Sequence, residues 1–177
     1  MSSHEANVLG ALALVLTDQT AQAAAEAGGQ SLSAAAALSA LYHFLDRPTV
    51  DKLHRVLGLT PSGAVRLVDR LAEAGLVTRG PGTDGRSRSV TLTPRGRRAA
   101  ARISAARADL LAGALDGLSG DDRRALRDLL GRMMANVVAG KDGGAWICRL
   151  CDLHACGRDD GHCPAANAAR AKYGDPE

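Results

Sequence analysis

Residues 57–96 read LGLTPSGAVRLVDRLAEAGLVTRGPGTDGRSRSVTLTPRG, and this stretch decides the fold of the chain. Thr60 followed by Pro61 is typical of a helix start, because threonine caps free N–H groups and proline fits the first turn. Apolar residues then recur at helical spacing up to Gly75, at Ala64, Leu67, Val68 and Leu71. The pattern predicts a helix over residues 61–74 with one buried face and one polar face.

A shorter helix is predicted just upstream, over residues 50–57, and Gly58 ends it. Two helices joined by a short turn that contains glycine form a helix-turn-helix. The polar face of the second helix carries Ser62, Arg66 and Arg70. In this motif the N-terminal residues of the second helix meet base edges, and an arginine takes a guanine edge or a phosphate. The same residues also fit an ordinary solvated helix face, so this helix alone leaves both interpretations open.

A β-hairpin is predicted next, with strands over residues 76–79 and 89–92 and a connection rich in turn-forming residues. A hairpin that directly follows a helix-turn-helix is a wing, which favours DNA binding. Asp84 is predicted to orient an arginine or to cap the turn. Arg86 and Arg88 are predicted to reach DNA phosphates or the minor groove.

Charge is concentrated in the same region. Residues 49–99 hold ten basic and four acidic side chains, a net charge of +6, whereas the whole chain carries +3. Basic charge gathered in one segment indicates a protein that binds a polyanion. A solvated basic surface is the other interpretation of this composition.

Further helices are predicted over residues 5–27, 33–44 and 94–115, and a last one begins at Ser119 with a capping-box pattern. The chain is therefore expected to be mainly α, of the α+β class, with long helices at both ends. The last helix carries an apolar stripe that is wide for a lone surface helix: Leu126, Leu129, Leu130, Met133, Met134, Val137 and Val138. It fits a dimer interface better than a core within one chain, and its methionines would also suit a ligand cleft.

The composition also predicts the compartment. The N-terminus has no basic residue before its apolar segment, and no run approaches the roughly 20 apolar residues that span a bilayer. We therefore expect a cytoplasmic protein, in which cysteines act as ligands or reactive thiols more often than as disulfides. No Ser/His/Asp set and no carboxylate pair stands out, so we expect no enzymatic activity.

All four cysteines lie in the final part of the chain, spaced C-x2-C-x4-C-x6-C, at Cys148, Cys151, Cys156 and Cys163. A zinc ion held by four thiolates is the first interpretation, since the two-residue gap supplies a tight turn. An iron–sulfur cluster on the same thiolates is the second, and metal-free reactive thiols are the third. His154 or His162 could replace one cysteine as a ligand.

The motifs together resemble the MarR family of bacterial transcriptional regulators. The resemblance rests on LTPSGAVRLVDRLAEAGLV (59–77), DGR (84–86), VTLTPRG (90–96) and LSGDDRRALRDLL (118–130), and it covers residues 5–140. It implies a winged-helix homodimer that binds a palindromic operator on double-stranded DNA, mostly as a repressor. It also implies release of the DNA by a small aromatic ligand or by cysteine oxidation.

By position, the resemblance makes Ser62 and Arg66 recognition-helix contacts and makes Asp84 and Arg86 wing contacts. It divides the chain into an N-terminal dimerisation helix, a winged helix-turn-helix, C-terminal dimerisation helices and a cysteine-rich tail, over residues 1–30, 31–99, 100–140 and 141–177. The tail has no counterpart in the family pattern.

Two positions of the second helix depart from the family pattern. Gly63 and Val65 stand where polar residues are common, so the operator sequence cannot be transferred. Val65 would contact a thymine methyl or pack into the core. A zinc-stabilised adaptor protein that keeps the fold without specific DNA binding is therefore the alternative.

Overall fold

The computed structural model describes residues 3–82, 88–140 and 145–174, with the side chains of residues 145 and 146 excepted. The described chain is mainly helical with one two-stranded sheet, which confirms the predicted fold class. In chain order the elements are α1 (His4–Gly28), α2 (Leu32–His43), α3 (Val50–Leu57), α4 (Pro61–Glu73), β1 (Val77–Pro81), β2 (Arg88–Leu92), α5 (Pro94–Gly113), α6 (Gly120–Gly140), a 3₁₀ turn (Ala145–Cys148), α7 (Leu153–Cys156) and α8 (Pro164–Tyr173).

Helices α3 and α4 form the predicted helix-turn-helix. Thr60 is the N-cap of α4, and its Oγ1 accepts the backbone N–H of Gly63 at 3.1 Å. Gly58 ends α3 in the left-handed conformation, with a φ of 65°. Glycine adopts this conformation without a steric penalty, so it allows the sharp turn between the two helices.

The hairpin packs against the segment that precedes α3. Strands β1 and β2 are antiparallel, with Val77 opposite Leu92. The backbone N–H of Val90 donates to the carbonyl of Pro48 at 2.9 Å, and Thr49 bridges to Ser89. The hairpin is thus attached at its base to the helix-turn-helix, so the two units hold a fixed relative orientation.

Helix α2 lies at the centre of the main core. Every residue from Ala34 to Ala40 is at most 4% exposed. Alanine lets neighbouring helices approach closely, and α2 contacts α1, α3, α4 and α5. Around it lie the large buried side chains of the winged helix: Leu53, Leu67, Val68, Leu71, Val77 and Val90.

Helix α5 starts against the hairpin at a position that only glycine can occupy. Thr93 caps α5 and its N–H donates to the Leu76 carbonyl at 3.0 Å. A Cβ on Gly96 would lie 1.8 Å from that same carbonyl oxygen. The close approach joins the recognition unit to the long helix that follows.

Helix α1 is packed over its C-terminal half only. There it lies on α5, where the Arg102 guanidinium donates to the Ala27 carbonyl at 2.9 Å. Its N-terminal half is exposed and includes large apolar side chains: Val8, Leu9, Leu12, Leu14 and Val15.

By length and composition α1 could cross a membrane, the one such helix in the described residues. The absence of a long apolar run did not predict this, because scattered polar residues interrupt the apolar residues of α1 while the helix as a whole stays apolar. A single such helix is weak evidence of a span, since helices buried in soluble proteins have similar compositions.

The apolar stripe of α6 divides into two faces. Met134 and Val138 pack against α8 in a second, smaller core. The other face stays exposed and consists of Leu129, Leu130, Met133 and Val137. The predicted capping box is present, because Ser119 N–H donates to Asp122 Oδ2 at 3.0 Å and Asp122 N–H donates to Ser119 Oγ at 3.2 Å.

The cysteine-rich tail contains a helix that the sequence reading did not anticipate. Helix α8 begins with Pro164 at its first position and packs along α6. The Lys172 ammonium donates to the carbonyls of Val138 and Ala139 near the end of α6, the latter at 2.9 Å. The 3₁₀ turn packs against α3, so the tail contacts both the winged helix and α6.

Candidate nucleic-acid interface and cysteine cluster

One face of α4 is solvent-exposed from its first turn onward. Ser62, Val65, Arg66 and Arg70 all lie on it, while the opposite stripe of Ala64, Leu67, Val68 and Leu71 is buried. Val65 is 45% exposed. Packing of Val65 into the core, which was one of its two interpretations, is therefore wrong, and the valine methyls are available on this face.

An ion pair makes the exposed face of α4 more positive. Asp69 lies beside Arg66 and Arg70 on α4, and its carboxylate bonds the Arg79 guanidinium of β1 at 2.6 Å. Within residues 3–82, 88–140 and 145–174, neither Arg66 nor Arg70 forms a salt bridge. The pair therefore neutralises the acid nearest to the two arginines and ties α4 to the hairpin.

Polar contacts of His54 stabilise the turn between α3 and α4. Nε2 of His54 lies 3.1 Å from the Asp51 carboxylate and Nδ1 lies 3.4 Å from the Leu59 carbonyl, and because both partners are acceptors a neutral ring donates to one of them at a time. The imidazole links α3 to the residue before the α4 cap. Such bracing fixes the angle at which α4 is presented.

The hairpin places one predicted contact residue on its exposed edge. Arg88 is exposed at the start of β2, opposite Pro81 of β1. The Arg47 guanidinium donates to the Pro81 carbonyl at 3.4 Å, which adds a cation that the sequence reading did not single out. Asp84 and Arg86, the other two predicted wing contacts, lie outside the described residues.

The four cysteines come together as two pairs. Cys148 and Cys151 lie in one tight turn, Cys151 and Cys156 line the same cavity, and Cys156 and Cys163 belong to the same small core. A backbone bond from Cys151 N–H to the Cys148 carbonyl, 2.8 Å long, closes the two-residue gap into the predicted tight turn. In the described part of the chain, no three Cys, His, Asp or Glu side chains are already arranged to hold a metal ion.

Two arginines face this cluster. The Arg158 guanidinium donates to Cys148 Sγ at 3.9 Å, and Arg107 of α5 interacts electrostatically with Cys151. The hydrogen bond from Cys151 and the nearby Arg158 lower the pKa of Cys148 to about 6, whereas the bond to Cys148 and burial raise the pKa of Cys151. Both predicted alternative ligands, His154 and His162, are exposed.

A cavity of about 360 Å³ lies between α2, α5 and the tail. His43, Ser104, Arg107 and Leu111 line its helical side, and Cys151 and Asp152 are among the tail residues that line the other. The His43 ring bonds Ser104 at 2.9 Å and lies 3.8 Å from the Asp152 carboxylate. Burial lowers the pKa of His43, so its imidazole is neutral at pH 7.

The helix-turn-helix, the hairpin behind it and the exposed basic face of α4 define a winged-helix protein. A family model described as MarR family matches residues 29–87, from the end of α1 into the hairpin. This region is therefore a MarR-family winged-helix domain, as the sequence motifs predict. The cysteine-rich tail lies outside the match.

Solved structures of transcriptional regulators share the fold. MepR, a transcription regulator of the Staphylococcus aureus multidrug efflux pump MepA, superposes with a TM-score of 0.66 at 15% identity and covers 77% of this chain and 99% of its own. A probable transcriptional regulator from Pseudomonas aeruginosa superposes with a TM-score of 0.55 at 28% identity, and the match covers 70% of this chain and 95% of that protein.

A MarR family protein of Mycobacterium tuberculosis, Rv2887, in complex with p-aminosalicylic acid, gives a TM-score of 0.57 at 26% identity. It covers 75% of this chain and 98% of its own. All three structures are matched over nearly their whole length, so part of this chain has no counterpart in them. No curated protein sequence matches the chain.

Proposed function

We propose that this protein is a homodimeric, non-enzymatic transcriptional regulator of the MarR type, most simply a repressor, that binds a palindromic operator in the cytoplasm. The observation that carries the proposal is the exposed face of α4. It offers Ser62, Val65, Arg66 and Arg70 while Asp69 is neutralised by Arg79. A helix face with a hydroxyl, a branched apolar side chain and two arginines that form no salt bridge within the described residues suits base edges and phosphates together.

The dimer is supported by the unpartnered apolar surface at the two ends of the chain. The N-terminal half of α1 and one face of α6 expose nine large apolar side chains: Val8, Leu9, Leu12, Leu14, Val15, Leu129, Leu130, Met133 and Val137. An exposed apolar surface of this kind marks an interaction site in a soluble protein. A second copy of the chain, related by a two-fold axis, would cover it and would present two α4 helices.

A small-molecule effector belongs to the proposal as well. The cavity between α2, α5 and the tail has the size of a small ligand site and carries both apolar and cationic lining, with Leu111 beside Arg107. A ligand seated there would touch His43 at the C-terminal end of α2. It would thus be able to shift α4 relative to the dimerisation helices.

The first test is DNA binding by the Arg66→Ala and Arg70→Ala variants, measured against a site selected from genomic fragments. Loss of a base contact at Arg66 is expected to cost about 1–3 kcal/mol and to relax specificity at one position of each half-site. Loss of a phosphate contact lowers the slope of log K against log salt by about one instead.

Arg124→Ala is the matched control, because Arg124 is an exposed cation paired with Asp121 at the start of α6, on a different element from α4. Its binding is expected to equal that of the unmodified protein. Sequence-independent binding that none of the three substitutions changes would instead support the adaptor alternative.

The oligomeric state tests the second half of the proposal. Leu12→Asp and Leu129→Asp put a carboxylate into the exposed apolar faces of α1 and α6, where burial against a second copy would be costly. Sedimentation is expected to show a dimer for the unmodified chain and a monomer for both variants. Asp128→Asn, next to Leu129 in sequence, serves as a control that leaves the dimer intact. A monomeric unmodified chain at micromolar concentration would contradict the dimer.

A further inference from the structure

Helix α8 of the tail differs from the capped helices of the chain in how it begins. Helices α1 to α5 each start at a serine or threonine whose side chain caps the helix, and Asp152 caps α7. Helix α8 starts at Cys163, and this side chain makes no capping bond. Cys163 is instead 5% exposed and lies in the same small core as Cys156. The N-cap residue of α8 is therefore a cysteine that belongs to the cysteine cluster and does not cap the helix.

The tail also lacks an apolar core of the size that would hold it together. Its small core combines Val138 and Met134 of α6 with Ile147 and the alanines of α8, and two of its other members are Cys156 and Cys163. Between Cys148 and Cys163 the chain forms one helix of four residues and several turns. Short turns ordered around buried thiols are the arrangement in which a metal replaces a core.

Two guanidinium groups lie near the cysteine cluster. Arg158 contacts Cys148, and Arg107 faces Cys151 from α5. Four thiolates around a divalent ion leave an excess of two negative charges, which two neighbouring guanidinium groups offset. Arg158 belongs to the tail and Arg107 to α5, so the compensation joins the tail to α5.

We propose that Cys148, Cys151, Cys156 and Cys163 bind one thiolate-ligated metal centre at the junction between the winged helix and α6. The shared chemistry is a thiophilic metal held by four sulfurs, supplied by a zinc ion or by an iron–sulfur cluster. A zinc ion needs the two thiol pairs to close around one point at about 2.3 Å per bond, and such closure on metal binding is the usual coupling of ligation to folding. A two-iron cluster takes two thiolates on each iron, and thus one pair of cysteines each.

The proposed metal site lies between two parts of the molecule that matter for DNA binding and dimer formation. On one side the 3₁₀ turn that ends at Cys148 packs against α3, and Leu150 contacts the main core. On the other side α8 begins at Cys163 and packs along α6. A metal bound by all four cysteines therefore joins the element that presents α4 to the element that carries the exposed dimer face.

The first experiment measures zinc, iron and acid-labile sulfide in the full chain purified without oxygen. The expected result is one zinc per chain in colourless protein, or iron and sulfide in equal amounts with visible absorption. Either result supports the site and identifies the metal. Metal-free protein, or protein with two disulfides by mass spectrometry, overturns the proposal. The measurement involves no DNA, so its outcome is independent of the proposed regulatory function.

Substitutions then test the ligand set. Cys151→Ser and Cys156→Ser remove one thiol from each pair, and both are expected to lower the metal content to less than half. His154→Asn and His162→Asn are matched controls, and both are expected to keep it. A histidine variant that loses metal as the serine variants do, or a cysteine variant that keeps it, overturns the four-thiolate assignment.

A measurement on the unmodified chain guards against variants that fail to fold. Alkylation with iodoacetamide counts reactive thiols before and after a metal chelator, and again after the metal identified above (zinc, or iron with sulfide) is restored. All four thiols are expected to be protected before the chelator is added, reactive after it, and protected again once the metal is restored. Thiols that react equally in all three states overturn the proposal. Arg158→Gln is expected to weaken metal affinity about 10-fold, the effect of losing a group that supports a ligand.

Discussion

The winged-helix core and the cysteine-rich tail are ordered in different ways within one chain. In the core, α2 is almost completely buried and large aliphatic side chains from α3, α4 and the hairpin surround it. In the tail, helices are short, the core is small and two of its members are cysteines. The comparison teaches that apolar burial is sufficient to fix α4, whereas α8 has only a small apolar core against α6, to which the proposed metal site would add a second attachment.

The largest expected effect comes from breaking the core at its tightest contact. Gly96→Ala places a methyl group 1.8 Å from the Leu76 carbonyl oxygen, so backbone must move apart where α5 meets the hairpin. We expect a loss of about 4 kcal/mol or more in the free energy of unfolding, measured in urea. Gly113→Ala, at the other end of α5 with no atom within 4 Å of the added Cβ, is the control. A Gly96→Ala variant as stable as the control would contradict the packing described for this junction.

Metal removal is expected to have a smaller and local effect. Chelation should accelerate amide hydrogen exchange about tenfold or more in residues 148–163 and in α8, because the tail loses the link that orders it. Exchange in α2 and α4 is expected to stay unchanged, since their burial does not involve the thiols. Equal acceleration in the core and the tail would remove the distinction drawn between the two regions.

The smallest expected effect is the loss of one helix cap in the core. Thr60→Ala removes the oxygen that accepts the Gly63 N–H, and we expect a cost of about 1 kcal/mol in unfolding free energy. Thr60→Ser keeps the oxygen and is expected to cost much less. Thermal unfolding of the two variants side by side measures the difference. Equal stability of the alanine and serine variants would show that α4 does not depend on its cap.

The winged helix could be predicted closely because its signals are local. Thr60 with Pro61 and Thr93 with Pro94 start α4 and α5 where the capping pattern predicts, and α3 has the predicted bounds. The buried stripe of α4 follows directly from its helical spacing. These features need only residues within one turn of each other, so the sequence carries them without knowledge of the tertiary structure.

The remaining features depend on contacts between distant elements. The Asp69–Arg79 ion pair joins a helix to a strand, and the exposure of Val65 depends on which face α4 buries at its N-terminal end. The apolar stripe of α6 did not predict that α8 would cover Met134 while Leu129 stays exposed. Helix α8 itself has a local signal in the sequence, Pro164 followed by an alanine-rich run, which would have predicted it.

The central claim is that α4 reads a two-fold symmetric DNA site, and a footprint on DNA selected from genomic fragments tests it most directly. The account predicts two protected half-sites with centres about one helical turn apart, related by a two-fold axis. It also predicts that Arg66→Ala weakens both half-sites equally while Arg124→Ala changes neither. A footprint without symmetry, or one that Arg66→Ala leaves intact, would contradict the account.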